Sequence, residues 1–157
     1  MLQKLEIYSG PLQEIQPSKK LINTLNAHSY NTLRKDAVFR QALQASDMLL
    51  PDGISVVLAM RLLKGEKIKK IAGFDLFQYE MTRVQERGGK CFFLGSSERT
   101  LELIKARARQ EYPGLQVYGY SPPFKTLFDE EDNLAMINAV NEVEPDVLFV
   151  GMTAPKQ

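Results

Sequence analysis

The chain has 157 residues, 25% of them charged and 44% hydrophobic, which leaves room for one soluble domain with a sizeable core and too little for two. Lys and Arg number 20 against 19 Asp and Glu, so no global field draws the chain onto nucleic acid or an anionic membrane, a local basic patch stays open, and no nucleic-acid partner is expected. A single Cys and a single His exclude an internal disulfide and a thiolate or imidazole zinc cluster, and Cys91 in its apolar run fits a reducing compartment.

Residues 1–19 read as an irregular lead-in broken by Gly10, Pro11 and Pro17, with at most a short strand over Leu5–Tyr8. The MLQKLEIYSG start carries no long apolar h-region, so no signal peptide is expected. Residues 20–157 read as the core. Lys20–Asn26 is a first strand ending in the polar cluster Thr24, Asn26, His28 and Ser29. Asn31–Ala45 places Leu33, Val38, Ala42 and Ala45 at helical spacing and predicts one helix. Asp47–Leu50 is a second strand, ended by Pro51-Asp52-Gly53. Gly53–Leu63 follows as a helix apolar around most of its circumference, about half the length a bilayer span needs. Lys64–Lys70 holds four lysines; such a run is a solvated loop or an anion-binding one.

Gly73–Arg87 predicts a helix with Phe77, Met81 and Val84 on its inner stripe, closed by Gly88-Gly89. Lys90–Leu94 is a short apolar strand running into Gly95-Ser96-Ser97 and a helix to Tyr112. Leu115–Tyr120 is a strand, Asp129–Val143 a helix whose four leading acids suit the positive end of its dipole, and Asp146–Met152 the clearest buried strand. This alternation predicts an α/β fold, Rossmann-like: one domain with a mostly parallel sheet and helices on both faces. The chain stops at the mouth of that last strand.

Two turns invite chemistry. Asp52 stands between a strand and a helix, at the end of the sheet where ligands bind in open α/β folds; it is either a cap accepting backbone N–H bonds or a ligand contact or general base. Strand, Gly95-Ser96-Ser97, helix is an arrangement that receives a phosphate on free N–H groups, although Ser is also simply a good cap. No G-x-G-x-x-G, no G-x-x-x-x-G-K-[ST] and no G-x-S-x-G is present, and His28 alone gives a catalytic triad little to work with. The residues by themselves leave a nucleotide- or sugar-phosphate-binding α/β domain.

The ordered succession Thr24-x-Asn26-Ala27, Leu50-Pro51-Asp52-Gly53, Gly73-x-Asp75-Leu76, Phe93-Leu94-Gly95, Tyr112-Pro113-Gly114-Leu115 and Val150-Gly151-Met152-x-Ala154-Pro155-Lys156-Gln157 resembles the bacterial WecG/TagA/CpsF glycosyltransferase family. The resemblance implies transfer of N-acetylmannosamine, its uronic acid or glucose from a UDP-sugar to a polyprenyl-diphosphate-linked saccharide in cell-surface polysaccharide synthesis. It also implies inversion at the anomeric carbon, no metal or other cofactor, and work in the cytoplasm at the inner face of the plasma membrane. By position, Asp52 is the implied general base, Thr24 and Asn26 the polar pair beside the pocket, and Asp75 a holder of sugar hydroxyls. Gly95 and Ser96 fall at the nucleotide-facing turn, and Gln157 closes an element that touches the nucleotide. Lys70 stands where many relatives have Arg, keeping the charge without the bidentate fork. Relatives continue past Pro155-Lys156-Gln157 into a basic segment that docks on the membrane; without it the chain is expected to bind UDP-sugar and turn over weakly. The competing reading is a non-catalytic nucleotide-binding or membrane-assembly module.

Overall fold

The computed structural model describes residues 5–152. Backbone contacts group the chain into two compact units, Met1–Phe77 and Gln78–Gln157. The five strands predicted within residues 20–157 form and every pairing is parallel, so the α/β class holds in both units.

In the first unit β1 (Ile22–Leu25) pairs with β2 (Met48–Pro51), Thr24 opposite Leu50 and Leu25 opposite Pro51. The crossover between them is two helices, α1 (Ala27–Lys35) and α2 (Ala37–Gln44), where periodicity predicted one. Capping explains the break. The Asn26 side chain accepts from the Ser29 N–H at 3.0 Å while Ser29 Oγ accepts from the Asn26 N–H at 2.8 Å, a reciprocal box that starts α1 earlier than expected. Asp36, in extended conformation, then accepts from the Phe39 N–H at 2.9 Å and starts α2. The predicted strand over Leu5–Tyr8 does not form. The Tyr8 N–H donates to the Leu49 carbonyl at 2.9 Å without forming a strand, and Leu5 and Ile15 of the lead-in are buried.

Leu25, Leu33 and Leu50 are fully covered, and Met60 of α3 (Ile54–Lys64) is buried as well. Leu50→Ala should cost about 2–5 kcal/mol, the range for a leucine truncated in a closed core. Urea denaturation checks this. A cost below about 1 kcal/mol would mean the site collapses around the gap. The helix α4 (Gly73–Gln85) crosses from one unit into the other in sequence.

In the second unit β3 (Lys90–Leu94) lies between β4 (Gln116–Tyr120) and β5 (Val147–Val150). The connections β3 to β4, through α5 (Glu98–Glu111), and β4 to β5, through α6 (Glu130–Val143), run in opposite directions along the sheet. Right-handed crossovers therefore put α5 and α6 on opposite faces. Packing agrees: Met136 of α6 joins Phe92 and Leu94, whereas Leu101 of α5 sits over Gly119, across the sheet on the face of Phe93. On that second face the Phe93 and Phe149 rings stack at 5.2 Å.

β5, the strand expected to be most buried, is alternately half-exposed, with Leu148 at 41% and Val150 at 39%. It is an outer strand among the described residues, and α6 lies over β3 and β4 rather than over it. Central Cys91 is fully buried, and loss of water pushes its thiol up to about 12. The folded chain therefore holds that proton where the unfolded chain, with a thiol near about 8.5, releases it. Stability is unaffected by this group below about pH 8.5 and falls as pH rises from there toward the folded value. Iodoacetamide at pH 8 should label Cys91 at the rate of unfolding; labelling within seconds in the native protein would contradict its burial.

Candidate active site

The carboxyl ends of β1 and β2 assemble most of the predicted site residues. The ladder continues one step past the strands, with the Asp52 N–H donating to the Leu25 carbonyl at 2.9 Å, so the main chain at Asn26 and Asp52 leaves the sheet side by side. Gly53 follows with φ +136°, a conformation that L side chains rarely adopt, and a Cβ there would lie 3.9 Å from Asn26 Cβ. Gly53, not Asp52, is the N-cap of α3, and no side chain caps that helix. The cap reading of Asp52 is thereby excluded. Its residue is half-buried, and among the described residues no hydrogen bond or ion pair engages its carboxylate.

The loop after α3 returns to the same place. Ile68 and Ile71 are buried, and the Ile71 N–H donates to the Pro51 carbonyl at 3.0 Å, one residue before Asp52. Lys70 precedes that anchor and is exposed. Two residues further, a Cβ on Gly73 would meet the Thr24 methyl at 3.6 Å, so α4 begins against the end of β1. Asp75 lies in the first turn of α4, where one oxygen accepts from the Ala72 N–H at 2.7 Å; the acid at N3 holds the N-cap backbone, half of a capping box. Asp75 is exposed, leaving its second oxygen for a ligand. Asn26 likewise uses its carbonyl oxygen as a cap, so a ligand would meet its amide NH2 group.

Thr24, Asn26, Asp52, Gly73 and Asp75 thus belong to one unit and one end of its sheet. Gly95 and Ser96 belong to the other. There the strand order β4-β3-β5 makes the gap between β3 and β5 the point where the connection reverses, the crevice at which flavodoxin-like sheets bind nucleotides. Gly95 sits at its rim, buried, with φ +114°. Its N–H donates to the Tyr120 carbonyl at 3.0 Å, and a Cβ would lie only 2.8 Å from the Gly151 oxygen. Ser96 also has positive φ, 69°, and its carbonyl accepts from Ser121 Oγ at 2.7 Å. Ser97 caps α5 through the Thr100 N–H at 3.3 Å. Sequence reading missed Ser121 and the Gly95–Gly151 approach. The second was available in outline, because glycines directly follow two adjacent parallel strands. Gln157 lies outside the described residues. No group of three or more His, Cys, Asp and Glu placed to hold a metal occurs among the described residues.

A family model described as Glycosyl transferase WecG/TagA/CpsF family matches residues 8–157. The chain belongs to this family. Two curated members of similar sequence each carry the name N-acetylglucosaminyldiphosphoundecaprenol N-acetyl-beta-D-mannosaminyltransferase. The protein of Bacillus subtilis (strain 168) is 26% identical over 137 residues, 87% of this chain and 52% of the relative. That of Bacillus spizizenii (strain W23) is 27% identical over 119 residues, 76% of this chain and 44% of the relative. The chain spans about half the length of these relatives. Family membership agrees with the resemblance carried by the Thr24-x-Asn26, Pro51-Asp52-Gly53 and Gly73-x-Asp75 elements, which the WecG/TagA/CpsF fold gathers at one sheet end.

Proposed function

We propose that this chain carries the base and the donor turn of an inverting transferase that moves N-acetylmannosamine from its UDP conjugate to a polyprenyl-diphosphate-linked N-acetylglucosamine. The names of the two relatives support the sugar and the acceptor. The observation that carries the reading is the Asp52 carboxylate, half-buried at the end of β2 and without a partner among the described residues.

In this reading the acceptor hydroxyl gives its proton to Asp52 as its oxygen forms the new bond to the anomeric carbon. The bond from that carbon to the diphosphate breaks on the opposite face, and UDP leaves with the electron pair. Thr24, the Asn26 amide and the open oxygen of Asp75 orient hydroxyls, and the family pattern assigns Gly95 and Ser96 to the nucleotide. Lys70 is the cation placed to balance the charge that grows on the leaving group. Gln157 is assigned to the nucleotide by the family pattern. The work takes place at the cytoplasmic face of the plasma membrane, where a lipid-linked acceptor resides.

A mass-spectrometric donor screen on a short-chain polyprenyl-diphosphate N-acetylglucosamine tests the proposal. UDP-N-acetylmannosamine should give the only abundant product, β-linked from the α-linked donor; an α-linked product would overturn inversion. UDP binding without transfer from any donor would favour the non-catalytic nucleotide module. The proposal also dispenses with a metal: EDTA should leave the rate unchanged, and a loss restored by Mg²⁺ would refute that part.

A further inference from the structure

The helix α3 is apolar on two opposite sides, and only one of them is covered. Val56 and Met60 are buried, 4% and 1% exposed. Ile54, Leu58 and Leu62, spaced i, i+4, i+8 on the other side, are 64%, 50% and 84% exposed. Three large aliphatic side chains in one outward row are not the scattered surface leucines of an ordinary soluble helix.

The surroundings of the row are cationic. Arg61 lies next to it on the helix surface, and Lys64 ends the helix. In the loop that follows, burial of Ile68 and Ile71 leaves Lys67, Lys69 and Lys70 exposed, with Glu66 the single acid. Among the described residues no ion pair engages Lys67, Lys69 or Lys70. The second unit also exposes apolar side chains, Phe124 and Leu127, but these stand beside Asp129, Glu130, Glu131 and Asp132. The α3 surface instead joins a row of exposed apolar side chains to positive charge.

We propose that the outward row of α3 and the loop lysines Lys67 and Lys69 rest on a bilayer carrying anionic phospholipid. An interfacial helix does this by placing its apolar face at the acyl boundary while cations beside it meet the headgroups. A second copy of the chain would cover the row but leave the loop lysines without a counter-charge, and is an outcome of the test below. The inference rests on the transfer reading only for its use: α3 begins one residue after Asp52, so a bilayer under α3 holds that carboxylate near the depth at which a lipid-linked sugar is presented.

Cosedimentation of the full chain with phosphatidylcholine vesicles, with and without phosphatidylglycerol, tests it without donor or acceptor. The protein should pellet with the anionic vesicles and release in high salt. Leu62→Glu should weaken partitioning by at least about ten-fold, the scale set by withdrawing one leucine from an apolar phase. Lys67→Glu with Lys69→Glu, a loop variant that leaves the helix intact, should weaken it by more than about five-fold per position. Equal pelleting of these variants and the parent, or no pelleting of the parent, overturns the proposal. So does a dimer dissolved by Leu62→Glu in a protein that ignores vesicles. Asp52→Asn should pellet like the parent, and failure of the parent to transfer sugar while still binding vesicles counts against the transfer reading alone.

Discussion

Asp52→Asn is expected to slow sugar transfer by about a hundred- to ten-thousand-fold, the usual contribution of a positioned general base. Affinity for UDP and the urea midpoint should stay close to those of the parent. The substitution is nearly isosteric and removes the ability to accept a proton while keeping a polar group of the same reach. It does not disturb α3, because Gly53 is the N-cap and no side chain serves that helix end. A capping role would in any case make the change nearly silent, since Asn caps about as well as Asp. Single-turnover transfer measured beside UDP calorimetry therefore separates the possibilities. Transfer near the parental rate with UDP still bound would show that another group takes the proton.

Gly95→Ala is expected to be the most disruptive small substitution in the second unit. It forces a side chain onto φ +114° and sets a methyl 2.8 Å from the Gly151 oxygen, backbone that cannot swing aside. Conformational strain alone is on the order of 1–3 kcal/mol. Displacing Gly151 also threatens its N–H bond to the Leu94 carbonyl, 2.8 Å long, which continues the β3–β5 ladder beyond the strands. A total of about 3 kcal/mol in chemical denaturation, with UDP affinity lost in the same variant, is the expected outcome. Gly65→Ala is the matched control. It also has positive φ, 73°, but nothing lies within 4 Å of the added carbon, so only about 1–2 kcal/mol of strain should appear. Equal costs at the two positions would show that the approach to Gly151 is irrelevant.

The sequence made the order of strands and helices legible because each strand is a short apolar run closed by a residue that cannot continue it. Asp52-Gly53, Gly95 and Gly151 follow β2, β3 and β5 in this way. It misled where a local side-chain bond outweighs periodicity. The apolar spacing across 31–45 is continuous, yet Asp36 offers its carboxylate to Phe39 and divides the segment. Composition likewise suggested that Val147–Val150 is buried on both sides. Burial depends on neighbours, and β5 has a paired strand on one side only among the described residues. Within the site, family pattern identified Asp52, Thr24, Asn26 and Asp75. It did not reveal that two of them also cap helices, because a cap depends on backbone reach across three residues rather than on residue type alone.

The carboxylate's location is fixed by atoms that every amino acid shares. The Leu25 carbonyl holds the N–H of Asp52, and the Pro51 carbonyl just before it receives Ile71. Under the proposed transfer, a mutation that reshapes the neighbouring side chains would alter which hexose fits without relocating Asp52. Drift in donor preference with the chemistry unchanged is what such a main-chain frame would permit.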